Sequence, residues 1–150
     1  DANKPYSHIT TGLPEVAKYI DIIRFLKADG SFHFIHGQDI ATVVKHLVNN
    51  PPSAGQERSL VLGQTRITAN QVIEQVCAYL GKKILFRIPL SFGLANVIIV
   101  LFRIQMAAWD RFCMKYRHFT YKNAVSPKSF GLSNYCETMS DVLRLSGVKR

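Results

Sequence analysis

Phe32-His33-Phe34-Ile35-His36-Gly37-Gln38-Asp39-Ile40-Ala41 is the stretch from which the fold is read. Its first five residues are rich in aromatic and β-branched side chains, which predicts a strand over 32–36. Asp39 then predicts the N-cap of a helix, because its carboxylate accepts the free N–H groups of a first turn. Ile40, Val43, Val44, Leu47 and Val48 follow at helical spacing as one apolar stripe. Burying such a stripe is worth about 10 kcal/mol before entropy is subtracted, so it needs a covering surface. Asn49-Asn50-Pro51-Pro52 ends the helix and opens a loop.

Working outward, residues 1–13 read as irregular, with Pro5 and Gly12 as breakers. Pro14 suits a first helical turn. Val16, Ile20, Ile23 and Leu26 continue a helix that Gly30 stops. Downstream, residues 59–63 (Ser-Leu-Val-Leu-Gly) predict a second strand. Thr68 and Gln71 have capping-box spacing before a helix through Ile73, Val76, Cys77 and Leu80, which Gly81 closes. Residues 84–88 predict a third strand, ended by Pro89, and residues 90–108 a long apolar helix. Thr138 and Asp141 cap a last helix, ended by Gly147. Alternation of strands with helices predicts an α/β (α+β-like) class. Three short strands make a thin sheet for so many helices, so at least one is expected to pair with an edge from another segment or chain.

The net charge of +9 resides in the second half. Residues 1–75 hold seven Lys/Arg and seven Asp/Glu; residues 76–150 hold twelve against three. Such asymmetry suits an anionic partner, or is balanced by an acidic segment elsewhere. Cys77, Cys113 and Cys136 are odd in number and form no C-x-x-C, which argues against a disulfide framework or a thiolate zinc site and fits a reducing, cytoplasmic setting. The uncharged run 88–102 is short for a membrane span, and Asn96 and Arg103 count against one. A buried core helix is expected, with partial entry into a membrane surface as the alternative.

The order of these motifs resembles the C-terminal, substrate-binding region of the extended short-chain dehydrogenase/reductases, the NAD-dependent epimerase/dehydratase family. Residues 32–41 look like that family's "f-x-f-[IV]-H-V-x-D-[VI]-A" segment. Residues 59–63 are similar to its "y-N-[LI]-G" strand, and residues 84–89 to its "v-x-v-P" strand. Residues 129–132 with 138–143 look like its closing "lG[WF]-x-p-x-x-x-L-x-[DE]-x-L" run. The resemblance covers roughly residues 14–147. It implies a Rossmann-type parent oxidoreductase using NAD or NADP, with the dinucleotide held by a preceding domain that this chain lacks.

No Gly-rich dinucleotide turn occurs in the chain. The family's Tyr-x-x-x-Lys spacing occurs once, at Tyr79 and Lys83, but Gly81 interrupts what should be a continuous helix. The expectation is therefore one substrate-binding domain over 1–150, with no catalytic residue, no cofactor-binding residue and no metal ligand of its own. Phe32 and His33 stand where many sugar-nucleotide members carry Arg-Asp, so the chain reads as a divergent member.

Candidate substrate residues are Ser7, His8 and Thr10 in the leading loop, and Arg117, His118 and Tyr121 in the basic aromatic segment 109–123. Ser7, His8 and Thr10 read otherwise as an ordinary polar loop, and the basic segment as a solvated face over packed rings. His33 and His36 are three apart, on opposite faces of a strand, which disfavours a shared metal. The resemblance makes His36 a structural residue near Asp39. The alternative function is a non-enzymatic module whose basic half binds a protein partner, a membrane surface or, least favoured, nucleic acid. The apolar stripes at 16–26 and 40–48 predict docking on the missing dinucleotide domain, or self-association.

Overall fold

The computed structural model describes residues 13, 14, 16–101 and 115–149. Their architecture is mixed α/β: short helices packed on sets of two-residue strands. In chain order these are α1 (Ile20–Ile23), β1 (Leu26–Lys27), β2 (Ser31–Phe32), α2 (Gly37–Asn49), β3 (Val61–Leu62), β4 (Ile67–Thr68) and α3 (Ala69–Tyr79). Then come β5 (Ile88–Pro89), α4 (Phe92–Leu101), β6 (His118–Phe119), β7 (Ala124–Val125), a 3-10 turn (Pro127–Phe130) and α5 (Met139–Leu145).

Long-range parallel pairing organises the strands. Leu26 pairs with Ile88 in β1–β5, and Val61 with Ala124 in β3–β7. β2 lies between antiparallel β4 (Ser31 with Thr68) and parallel β6 (Ser31 with His118). One further backbone bond, Gln64 N–H to Phe34 C=O at 2.7 Å, ties the β2 segment to β3. Parallel partners need long crossover connections, and here helices α2, α3 and α4 fill them.

The core forms where α3 and α5 meet. Ile73, Val76 and Cys77 of α3 bury against Met139, Val142 and Leu143 of α5, joined by Leu13, Ile20, Phe34, Ile67 and Cys136. Both helices start as the sequence predicts. Thr68 Oγ1 accepts from Gln71 N–H at 3.2 Å, and Gln71 Oε1 accepts from Thr68 N–H at 2.8 Å. Thr138 Oγ1 accepts from Asp141 N–H at 3.2 Å, while Asp141 Oδ2 accepts from Thr138 N–H at 3.0 Å. Both helices also end at the predicted glycines. Gly81 (φ +65°) and Gly147 (φ +73°) take left-handed conformations, which send Lys82 N–H back to Cys77 C=O and Val148 N–H back to Leu143 C=O.

Burial pushes the Asp141 carboxyl up. Hydrogen bonds from the Thr138 hydroxyl and N–H, the Glu137 N–H and Arg144 outweigh it and hold the group below its ordinary value. A depressed carboxyl contributes stability that is full above its unfolded value, about 3.9, and is lost as pH falls through the lower folded value. Thr138→Ala is expected to cost about 1 kcal/mol in urea denaturation at neutral pH. The destabilisation caused by Asp141→Asn should shrink as pH is lowered below about 4; a difference independent of pH would show that the carboxylate form does not matter.

The structure corrects several sequence expectations. Leu26 is not the end of the first helix: α1 stops at Ile23, and Leu26 enters β1 because Ile88 supplies a partner. The strand expected over 32–36 is confined to Ser31–Phe32, that over 59–63 to Val61–Leu62, and that over 84–88 is displaced to Ile88–Pro89. Strands β4, β6 and β7 and the 3-10 turn were not expected. The long apolar helix is described over Phe92–Leu101, and residues 102–108 lie outside the described residues. Its expected burial does not hold among the side chains described: Val97, Val100 and Leu101 are 61%, 77% and 72% exposed.

Asp39 is not the N-cap of α2. His36 is, its Nδ1 accepting from Gln38 N–H at 3.1 Å. Asp39 sits in the first turn, fully buried, and reaches across the fold. Of the stripe on α2 only Val43 is buried, while Ile40, Val44 and Val48 are exposed.

Candidate functional site

Two polar features stand out, a buried node and an open cleft. The node is built on Asp39. Its Oδ1 accepts from Tyr135 N–H at 2.7 Å, and its Oδ2 from Cys136 N–H at 3.2 Å and Gln64 Nε2 at 3.4 Å. Gln64 also donates to Cys136 C=O at 3.1 Å and accepts from Asn134 Nδ2 at 2.9 Å. Each of these polar groups thus finds partners, as burial demands. The node fixes the loop before α5 against the start of α2.

Cys136 borders this node. Burial, with the Asp141 and Asp39 carboxylates adding to it, pushes its thiol up to about 12. Burial also raises Cys77, against the pull of Arg24 and Arg87. Neither is a thiolate at neutral pH, so neither suits nucleophilic catalysis. Iodoacetamide at pH 8 is expected to leave Cys77 and Cys136 unmodified in the native chain and to label both in 6 M guanidinium, as read by peptide mass spectrometry. Labelling of native Cys136 would contradict this.

The cleft, of about 350 Å³, opens at the carboxyl ends of the parallel pair β1–β5. Open α/β sheets bind ligands at that end of their strands. Lys27, Ala28 and Asp29 line it as the chain leaves β1, and Pro89, Leu90 and Ser91 as it leaves β5. Asn70 lines it from α3, its Oδ1 accepting from Ala28 N–H at 3.1 Å. Arg117 closes the far side. Arg117 comes close because Gly30 has no side chain: a Cβ there would sit 3.2 Å from the Arg117 carbonyl oxygen, which accepts from Ser31 N–H at 2.9 Å.

Asp29 lies 3.8 Å from Arg117 Nη1 and 3.7 Å from His118 Nε2. These groups are solvated, so the pairs are weak, and Arg117 is free to turn to an anionic ligand. His118 is further positioned by its Nδ1, 2.9 Å from Ser31 Oγ. Lys27 and Arg117 against Asp29 leave the cleft with one net positive charge. It can hold an anionic or polar small molecule; among the described residues, no group of three or more His, Cys, Asp or Glu is placed to hold a metal.

Of the sequence candidates, Arg117 lines this cleft and His118 shares its Asp29 partner. Tyr121 does not join them: past β6 the chain turns it into a separate cleft beside His33. Ser7, His8 and Thr10 lie outside the described residues. Sequence reasoning missed Lys27, Asp29, Asn70 and Ser91. The Asp29-Gly30 dipeptide signals a loop, but nothing local tells which basic residue that loop will face.

His33 and His36 do not converge on a common ligand. His33 Nδ1 lies 2.7 Å from Gln64 C=O, while His36 caps α2. Tyr79 ends α3, its hydroxyl donating to Val148 C=O at 2.9 Å, and Lys83 lies beyond the helix-breaking Gly81. Among the described residues no helix is long and apolar enough to cross a membrane. Compared with known proteins, the chain matches no family model, no curated protein and no solved structure.

Proposed function

We propose that this chain is the substrate-side portion of an extended-type NAD(P)-dependent reductase or epimerase, whose dinucleotide is held by residues that precede it. The observation that carries the reading is the Asp39 node. Asp39, from the first segment that resembles a family motif (32–41), meets Gln64, directly after the second (59–63), and Asn134, Tyr135 and Cys136, which connect the two parts of the third (129–132 and 138–143). One buried polar contact thus brings the first motif together with the residues that flank the second and third.

The residues of this chain do not fit a dinucleotide. It has no Gly-rich turn, and Tyr79 and Lys83 are parted by Gly81, with the Tyr79 hydroxyl donating to Val148 C=O. No hydride step is therefore derived for these residues. Their part is to bind substrate in the cleft of Lys27, Asn70, Ser91 and Arg117. Arg117→Ala in the complete protein is expected to raise KM for an anionic substrate about tenfold, the worth of one charge-assisted hydrogen bond. The reading is tested by the complete gene: it requires a Gly-rich turn after a strand and a Tyr-x-x-x-Lys on a continuous helix before Asp1, and a gene lacking both overturns it.

A second reading rests on α4. Leu94, Val97, Val100 and Leu101 are exposed, as are Leu85, Phe86 and Ile88 before them, and the sequence that follows is basic. An apolar surface beside cations suits the interface of an anionic bilayer. Here the chain rests on a membrane surface through α4. Sedimentation with phosphatidylserine vesicles is expected for the native chain and lost in Val97→Glu/Val100→Glu; binding that survives this change excludes α4 as the contact.

A further inference from the structure

A second cleft, of about 480 Å³, lies at the opposite side of β2 from Phe32, against His33. Four separate loops build it. Arg66 comes from the turn between β3 and β4, Tyr121 and Lys122 from the turn between β6 and β7, Lys128 from the 3-10 turn, and Glu137 from the approach to α5. Its back wall is close-packed: a Cβ on Gly63 would lie 2.9 Å from His33 Cβ and 3.3 Å from Ala124 Cβ. A side chain at 63 would force His33 or Ala124 to shift.

The charges of this cleft do not cancel. Lys128 pairs with Glu137. Among the described residues, Arg66 and Lys122 have no carboxylate partner. Two uncompensated cations therefore face one concavity, with hydroxyl groups of Thr65, Ser126 and Ser129 around it. The His33 ring adds a third feature. The Gln64 carbonyl can only accept, so Nδ1 carries the proton. Nε2 is buried and has no hydrogen-bond partner among the described residues. Buried polar atoms left in this state call for a partner.

We propose that this cleft binds the phosphate group of a small phosphorylated ligand. Arg66 grips two phosphate oxygens through its planar fork and Lys122 supplies a point charge, the two modes by which guanidinium and ammonium groups bind phosphate. A phosphate dianion, the form a phosphate ester takes at neutral pH, carries the oxygens that both cations need. The site is separate from the Arg117 cleft and does not depend on the reductase reading.

The test is calorimetric titration of the native chain at low ionic strength with inorganic phosphate and, separately, with glycerol 3-phosphate. Binding is expected for both. A preference for the ester identifies an organic phosphate as the ligand; equal affinity identifies the phosphate group alone. Arg66→Gln and Lys122→Gln should each weaken binding about tenfold or more, while Lys45→Gln on α2, outside the cleft, should leave it unchanged. Both cleft residues are exposed, and circular dichroism checks that the variants fold. Amide chemical-shift mapping on the unaltered chain gives an independent readout, with phosphate expected to move the resonances of Gly63–Arg66, Tyr121 and Lys122. Absence of binding, affinity unchanged in both cleft variants, an equal loss in Lys45→Gln, or shifts confined to other surfaces would overturn the proposal.

Discussion

Replacing Asp39 by alanine is expected to remove a large part of the chain's stability at 25 °C. Its carboxylate is wholly buried and accepts from the backbone N–H groups of Tyr135 and Cys136 and from Gln64 Nε2. Truncation strands those donors in a site closed to solvent. Each stranded donor costs about 1–3 kcal/mol, so two or three cost about 2–9 kcal/mol against a total stability of about 5–15 kcal/mol. Asp39→Asn keeps one acceptor oxygen and turns an amide toward the remaining donors, for an expected loss of about 2 kcal/mol. Chemical denaturation followed by circular dichroism reads both. An Asp39→Ala chain with native stability would mean that the node is ornamental and that the loop before α5 is held by its apolar contacts alone.

Leu143→Ala should have the next largest effect. Leu143 is 0% exposed and lies in the cluster that joins α5 to Ile73, Val76 and Cys77 of α3. Truncating a fully buried leucine removes its transfer free energy and leaves a cavity, for about 2–5 kcal/mol. The upper part of that range is expected, because Gly147, the Thr138 cap and the Asp39 node all fix the position of α5 and hinder collapse around the void. Leu145, on the same helix but only partly buried, should cost less than half as much when replaced by alanine. Equal costs at the two positions would show that α5 does not present the face described.

What could be read in the sequence is what physics decides locally. A capping box needs only residues three apart, so Thr68–Gln71 and Thr138–Asp141 were legible and are formed as expected. Helix-ending glycines depend on a single backbone torsion, and Gly81 and Gly147 adopt it. The strands were harder because each is two residues long and is defined by a distant partner. Leu26 fits the 3.6-residue period of the preceding apolar residues, yet it belongs to β1 because Ile88 is available. His118 and Phe119 lie in a basic aromatic run with no strand signature and pair with Ser31 and Phe32.

The candidate site shows the same division. Arg117 was legible as a cation beside aromatics, but its neighbours Lys27, Asp29 and Asn70 come from the other half of the chain. Tyr121 was grouped with Arg117 and His118 by sequence proximity; the turn after β6 sends it to a different cleft. The sequence presents Asp39 as a local cap, since acidic residues at helix starts serve their own first turn. Its backbone partners, the N–H groups of Tyr135 and Cys136, are 96 and 97 residues away, and no local rule points to them.

The central claim is that these residues bind substrate while a dinucleotide is held by residues that precede them. Fluorescence titration of NADH and NADPH tests it most directly, run in parallel on this chain and on the complete protein. The account predicts no spectral change with this chain and saturable binding of one of the two nucleotides by the complete protein. Saturable binding by this chain alone, or none by the complete protein, would contradict it.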